Sequence, residues 1–294
     1  MSICDEVRRQ SAEVAASARW VRIDLVAAAG VTPAAPPSLD PERHYLEGSP
    51  EDVAMYLLTL DTINFGSGWF PLLRKREVDG RPLSGYFTVA WALADRFRAS
   101  GPWTAEQLRR LDTETVAEVL GQTADLELMA LYAQALRAFG RFLGERSALD
   151  VVAAADGSAA RLARQLATQM PMFNDVGFYK RALIAANDLA LAGVAEFDDL
   201  DTLPIFADNL VPHVLRCDGV LIYDERLAAH IDAGLRVRMG PAEREIRACA
   251  VQACEQIAQR TGIPPRELDG WLWHRGQRPT YKARPRHRTA TVFY

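Results

Sequence analysis

Apolar residues recur every three or four positions along most of this chain, with polar residues between them, which is the spacing of amphipathic helices. Val7, Val14, Ala18, Val21, Leu25 and Val26 keep that period over residues 4–29 and predict one opening helix that stops at Gly30. Ser49-Pro50-Glu51-Asp52 is a helix start: a capping serine, a proline in the first turn, then acids at the positive end of the dipole. The helix it opens carries Val53, Tyr56, Leu57, Leu60 and Ile63 and breaks at Gly66-Ser67-Gly68-Trp69-Phe70-Pro71. Asp79-Gly80, between the short charged segments of 74–82, predicts a small β-hairpin. Further helices are expected from Ser84-Gly85-Tyr86 through Phe97, and over 104–111, 113–120, 125–143, 159–166, 179–191, 241–259 and 264–273. The last residues, Thr289 to Tyr294, alternate like a terminal strand. No internal repeat or low-complexity linker interrupts the pattern, so the expectation is a mainly α fold in a single domain, 1–294.

Composition narrows the function classes. With 294 residues and 49% apolar content the chain can bury a full core. Its net charge is −4 and its pI about 5.8, so it lacks the global basic footprint of a nucleic-acid binder. The local exception is the stretch Arg275 to Arg288, with six Lys or Arg and no acid. No apolar run is long enough for a bilayer and the N-terminal residues lack the apolar centre of a signal peptide, so a cytoplasmic location without membrane contact is expected. Cys4, Cys217, Cys249 and Cys254 have no C-x-x-C spacing, and the five histidines have no metal-ligand spacing. Neither a G-x-G-x-x-G nor a P-loop is present, so chemistry without cofactor or metal is expected. Only Lys75, Lys180 and Lys282 among the 34 Lys and Arg residues are lysine, which singles them out as compact point charges.

The chemistry concentrates between Phe173 and Pro212. Phe178-Tyr179 runs into Lys180-Arg181 and an apolar helix pattern, then into Asp198, Asp199 and Asp201, the turn Leu203-Pro204-Ile205-Phe206, and Asp208. Cations, rings and carboxylates between apolar runs are what a pocket for a flat, polar, phosphorylated ligand requires; a solvated helix face followed by an acidic loop is the plain alternative. A short helix, a tight turn and a second helix over 197–215 resemble the helix-hairpin-helix unit of DNA base-excision glycosylases. Ile205-Phe206-Ala207 stand where that unit has glycines, and side chains there block the approach of a DNA phosphate to bare backbone amides. Binding of duplex nucleic acid is therefore not expected.

Motifs spread in order over the chain resemble the queuosine salvage proteins, the queuosine 5′-phosphate N-glycosylases that release the base queuine for tRNA modification. They are Asp61-Thr62-Ile63-Asn64-Phe65 with Trp69, Ser84-Gly85-Tyr86, Phe178-Tyr179-Lys180-Arg181-Ala182, Asp199, Phe206-Ala207-Asp208 with Val211-Pro212, and Tyr294. The resemblance implies hydrolysis of the N-glycosidic bond of queuosine 5′-phosphate, with the free nucleoside as a second candidate substrate. Such a reaction builds positive charge on the sugar, which a carboxylate beside the anomeric carbon stabilises while it orients the attacking water. The leaving 7-deazaguanine lacks the N7 that other purine hydrolases protonate, so a second acid that reads its guanine-like edge is useful.

On these grounds Asp199 is assigned to sugar and water and Asp208 to the base or to charge stabilisation, with the roles exchangeable; Asp224 ranks third. The substrate-binding candidates are Asn64, Phe65, Trp69, Tyr86, Phe178, Lys180, Arg181, Phe206, Tyr281 and Lys282, with Lys180, Arg181, Lys282 and Arg284 as phosphate ligands and Phe65, Trp69, Phe178 and Phe206 as stacking surfaces. For each acid the competing role is a helix or turn cap, and for each ring it is core packing. The expected partner is a small-molecule substrate and the expected state a monomer. A helix-hairpin-helix nucleic-acid-binding or repair protein is the alternative function, and a catalytically silent helical interaction protein the third.

Overall fold

The computed structural model describes residues 1–294 and is mainly helical, with fifteen α-helices and two small antiparallel sheets. Its centre is the helix Pro50–Thr62. Ser49 and Asp52 form a reciprocal capping box at its start, and every residue from Val53 to Thr62 is buried. A helix buried on all sides must be covered by others. Gly85–Ser100, Glu127–Leu143, Ala148–Ala153 and Lys180–Leu191 pack around it. A second long helix, Pro241–Thr261, gathers Ile3–Ala16, Leu210–Cys217 and Pro265–Arg275. One contiguous apolar cluster joins the two groups, running from Ile3 to Tyr281.

Three expectations from the sequence are corrected. The opening stretch is not one helix but Ile3–Ala16, the strand Val21–Ile23 and Leu25–Gly30. The cause is Glu245, whose carboxylate accepts from the backbone N–H groups of Arg19, Trp20 and Val21 at 2.9, 2.5 and 3.2 Å, drawing the chain out of the helix. The strand then pairs antiparallel with Leu221–Tyr223, Val21 opposite Tyr223. Residues 289–294 form no strand; the tail is seated in the core, where Gly66 N–H donates to the Tyr294 carbonyl at 3.0 Å. Of the two short helices expected around Leu203-Pro204, the first is a single 3-10 turn, Leu200–Thr202, and only the second, Leu210–Cys217, is α-helical. The small hairpin forms where expected, Glu77–Val78 against Arg81–Pro82, with positive φ at Asp79 and Gly80 as a type I′ turn requires.

Two charged side chains, one half-buried and one fully buried, hold loops against this frame. Asp199 caps the helix Ala159–Gln169: its carboxylate accepts from Ser158 Oγ and from Ala159 N–H at 2.6 Å each, and from Ala160 N–H at 3.3 Å. Arg247 is 2% exposed and lies between the carboxylates of Asp175 and Glu243. It also donates from Nε to the Ala207 carbonyl at 2.8 Å, with the Phe178 ring 3.9 Å from its guanidinium carbon. Ala207 precedes Asp208, so Arg247 sets where that loop sits.

Asp199→Ala is expected to cost about 1–2 kcal/mol, the loss of a helix cap, measured by chemical denaturation; unchanged stability would contradict the capping role. Arg247→Met leaves two buried carboxylates uncompensated and is expected to cost about 3–5 kcal/mol, seen as a lower urea midpoint with an unchanged slope.

Candidate active site

Helical periodicity builds the main cavity. Lys180, Ile184, Asn187, Asp188 and Leu191 form one stripe of the helix Lys180–Leu191 and line one wall. Arg266, Asp269, Gly270, Trp273, His274 and Gln277 form the opposing stripe, carried by the helix Pro265–Arg275 and the residues after it. The loop after Pro50–Thr62 contributes Asn64, Phe65 and Ser67, the start of Gly85–Ser100 contributes Tyr86 and Phe87, and the 206–210 bend contributes Phe206, Asp208 and Asn209. His44, Arg286 and Tyr294 complete the lining.

One side of the cavity is aromatic. Tyr86 and Phe87 each meet Trp273 edge to face at 5.4 Å, and His44 Nε2 lies 3.0 Å from the Tyr86 hydroxyl. His44 is fixed from behind by Nδ1 at 2.9 Å from the Asp40 carbonyl, and burial depresses its pKa. Gly85 cannot be larger, because a Cβ there would meet the Phe70 ring at 2.4 Å.

The other side carries charge. Asp208 uses one oxygen, Oδ1, to accept from Leu210 N–H at 2.7 Å and Val211 N–H at 3.1 Å, which caps Leu210–Cys217 and leaves Oδ2 to the cavity. Asp269 accepts from Phe206 N–H at 2.9 Å. Burial, then the charge of Asp208, pushes Asp269 well above the usual carboxyl range, against the pull of the Phe206 N–H and Lys180. Asp188 is likewise raised by burial, against the pull of Asn187 and Lys180.

The Lys180 ammonium donates to the Asn64 carbonyl at 3.1 Å, and its pKa is lowered by burial while Asp208 leads the groups that favour its charge. Arg286 reaches the cavity from the C-terminal tail. Its guanidinium makes no hydrogen bond or ion pair with the protein, and Asp208 is the acid that most favours its charge. Lys75 and Lys282 lie near enough for Arg286 to depress both, so the three cations form a local positive region.

Of the residues singled out in the sequence, the structure brings together Asn64, Phe65, Tyr86, Lys180, Phe206 and Asp208. The others lie elsewhere, each for an identifiable reason. Asp199 is spent on its helix cap. Arg181 is fully buried behind the wall, between the rings of Phe65 and Phe173 at 4.6 and 4.5 Å, and donates to the carbonyls of Thr62, Met172 and Val292. Phe178 stacks on Arg247. Trp69 is buried, with its Nε1 donating to Glu127 at 2.8 Å. Tyr281 bonds Asp218 at 2.7 Å, Lys282 is exposed, and Arg284 pairs with Asp232. Asp224 caps Glu225–Asp232.

Sequence reasoning missed His44, Asn187, Asp188, Asp269, Trp273, His274 and Arg286. For Asn187 and Asp188 a signal existed: they stand seven and eight residues after Lys180, on its own helical stripe. No three or more His, Cys, Asp or Glu side chains are grouped so as to hold a metal ion.

The sequence profile of the family described as queuosine salvage protein matches residues 43–294. A protein of Sphaerobacter thermophilus is 33% identical over 95% of this chain and 94% of its own length. One of Dictyostelium discoideum is 30% identical over 83% of this chain and 79% of its own length, and one of Mus musculus 26% identical over 84% and 83%. All three carry the name queuosine 5′-phosphate N-glycosylase/hydrolase. A profile that spans residues 43–294, with a relative covering nearly the whole chain, leaves no ambiguity of kinship: the chain belongs to the queuosine salvage protein family.

Proposed function

We propose that this protein hydrolyses the N-glycosidic bond of queuosine 5′-phosphate and releases the base queuine. The observation that carries the reading is the meeting, in one aromatic-walled cavity, of a half-free carboxylate at Asp208, a buried acid at Asp269 whose pKa burial raises, and a guanidinium at Arg286 without a protein partner. Each answers one demand of the substrate.

The developing positive charge on the ribose requires an anion close to the anomeric carbon. Asp208 serves, because two backbone amides hold Oδ1 rigidly and leave Oδ2 to face the sugar and the attacking water. Lys180 keeps the region from carrying uncompensated negative charge before the substrate binds. Asp269 holds a proton that it can donate in a hydrogen bond to the departing base, which lacks N7. The rings of Tyr86, Phe87 and Trp273 give the flat base its wall, and the 5′-phosphate goes to Arg286 at the end of the cavity. In this reading Asp208 takes the role first assigned to Asp199, and Arg286 the phosphate role first offered to Lys180, Arg181, Lys282 and Arg284. The substrate is small, and the reading calls on no duplex nucleic acid.

Kinship of architecture with helix-hairpin-helix glycosylases belongs to the same proposal. A 3-10 turn, a bend at 203–209 and the helix Leu210–Cys217 follow in that order, with Ile205, Phe206 and Ala207 buried in the bend where glycines would face a phosphate.

Incubation with queuosine 5′-phosphate and detection of free queuine tests the reaction itself. Asp208→Asn keeps the side chain's shape and one cap acceptor but removes its charge, and is expected to lower kcat by about 10²–10³-fold with the fold intact; wild-type turnover would remove Asp208 from the chemistry. Arg286→Ala is expected to lower kcat/KM for the monophosphate by roughly 10–100-fold, the worth of a charged hydrogen bond, and to leave the free nucleoside almost unaffected. An equal loss for both substrates would argue against phosphate at Arg286.

The base limb of the pH profile should follow Asp269. Its folded pKa is raised, so the proton it offers is present below that value and lost as pH rises through it. Asp269→Asn, which cannot titrate, is expected to abolish that limb in kcat/KM, measured across the alkaline side of the profile.

A further inference from the structure

Directly behind the cavity wall lies a carboxyl group that touches no space a substrate can reach. Asp61, in the last turn of Pro50–Thr62, is 0% exposed. Its Oδ1 accepts from Asn64 Nδ2 at 3.3 Å, and its Oδ2 has no partner at all. The Asn64 carbonyl in turn receives the Lys180 ammonium at 3.1 Å. Two consecutive cations, Lys180 and Arg181, thus meet the carbonyls that follow the end of one helix, Asn64 for the first and Thr62 for the second. The backbone of Asn64 is tied to the same residue, its N–H lying 3.4 Å from the Asp61 carbonyl.

The groups that face the Asp61 carboxyl are Asp188, Lys180 and Arg181 from the helix Lys180–Leu191, Asn64 from the loop, Tyr56 from its own helix and Tyr86 from Gly85–Ser100. An ionised carboxylate with one oxygen bare, buried beside a second acid, is strongly unfavourable, whereas a proton on Oδ2 relieves both the desolvation and the repulsion. Burial first, then the charge of Asp188, moves Asp61 well above the ordinary carboxyl range, against the opposing pull of Asn64, Lys180 and Arg181. A neutral Asp61 still accepts from Asn64.

We propose that Asp61 is a positioning residue acting in its neutral form: it clasps Asn64 so that a carbonyl, and not a buried carboxylate, holds the Lys180 ammonium, whose charge is then left for Asp208 in the cavity. The inference rests on the reading of Lys180 and Asp208 as parts of the N-glycosidase site. A charged Asp61 would instead act as the counter-ion of Lys180 and weaken its coupling to Asp208.

The chain's three lysines make the test direct. Labelled lysine gives three side-chain resonances, and Lys75→Arg and Lys282→Arg identify the one belonging to Lys180. Asp61→Asn reproduces the shape and hydrogen bonding of a neutral aspartic acid. It is expected to leave the Lys180 titration within about 0.3 pH unit of the wild type and kcat within about threefold. Asp61→Leu removes the clasp and is expected to lower kcat about tenfold or more and to shift the Lys180 resonance. Asn64→Ala, which cuts the same clasp while leaving Asp61 in place, is expected to shift that resonance too and serves where Asp61→Leu fails to fold. A drop of about one unit or more in the Lys180 titration on Asp61→Asn would show Asp61 to be a charged counter-ion and overturn the proposal. So would a wild-type Lys180 resonance in Asn64→Ala. Because the resonances are read on the free protein, these outcomes stand even where queuosine 5′-phosphate is not hydrolysed.

Discussion

Everything around the cavity depends on how two adjacent cations are buried at the start of one helix. Lys180 and Arg181 are respectively 5% and 1% exposed, and neither has a direct ion pair. Their charges are held instead by backbone carbonyls: Asn64 for Lys180, and Thr62, Met172 and Val292 for Arg181. Charge-assisted hydrogen bonds of this kind compensate for lost hydration only if the acceptors are already in place. That condition ties together the end of the central helix, the turn at 171–173 and the C-terminal tail. Tyr179, immediately before them, adopts φ +48°, a conformation costly for a non-glycine residue and sustained here by its hydroxyl bonding Glu6 and its N–H bonding Asp175. Asp175 is the same residue that pairs with Arg247, so the strained turn is anchored to the second long helix as well.

The two cations divide the labour. Arg181 faces away from the cavity and fastens its wall, sandwiched between Phe65 and Phe173, while Lys180 looks into the cavity with its positive charge. A residue pair that looks uniform in sequence is split into a staple and a site residue by the 100° turn between neighbours on a helix. The same division recurs among the acids. Asp199 and Asp208 both cap helices; Asp199 gives both oxygens to its cap, and Asp208 gives only one. An oxygen not consumed by structure is what remains for chemistry.

That distinction explains what was legible in the sequence. The helices, their starts at Ser49 and Ser84 and the Asp79-Gly80 hairpin follow from local propensity and could be read directly. The break at residues 17–20 could not, because its cause is Glu245, more than two hundred residues away. Half of the substrate-binding candidates reach the cavity, since Lys180, Asn64 and Phe206 lie where motifs and apolar runs meet. Arg284 and Arg286 are two residues apart in an irregular tail, and only the presence of Asp232 beside Arg284 decides which of the two is free. Trp273 and Asp269 belong to a helix that the sequence predicts over 264–273 without marking it for chemistry, and its facing stripe becomes visible only opposite the stripe of Lys180.

The protonation states in the cavity follow from the same geometry. Burial, then the charge of Asp208 next to it, raises the pKa of Asp269, against the pull of the Phe206 N–H that it accepts. An N-glycosidic cleavage is served by an anion near the sugar and a proton donor near the base. Asp208 sits at a helix start, near enough to Lys180 and Arg286 to favour both of their charges, and Asp269 is tied to the Phe206 N–H. Tyr86, Phe87 and Trp273, packed edge to face, give the same cavity an apolar wall beside these charges.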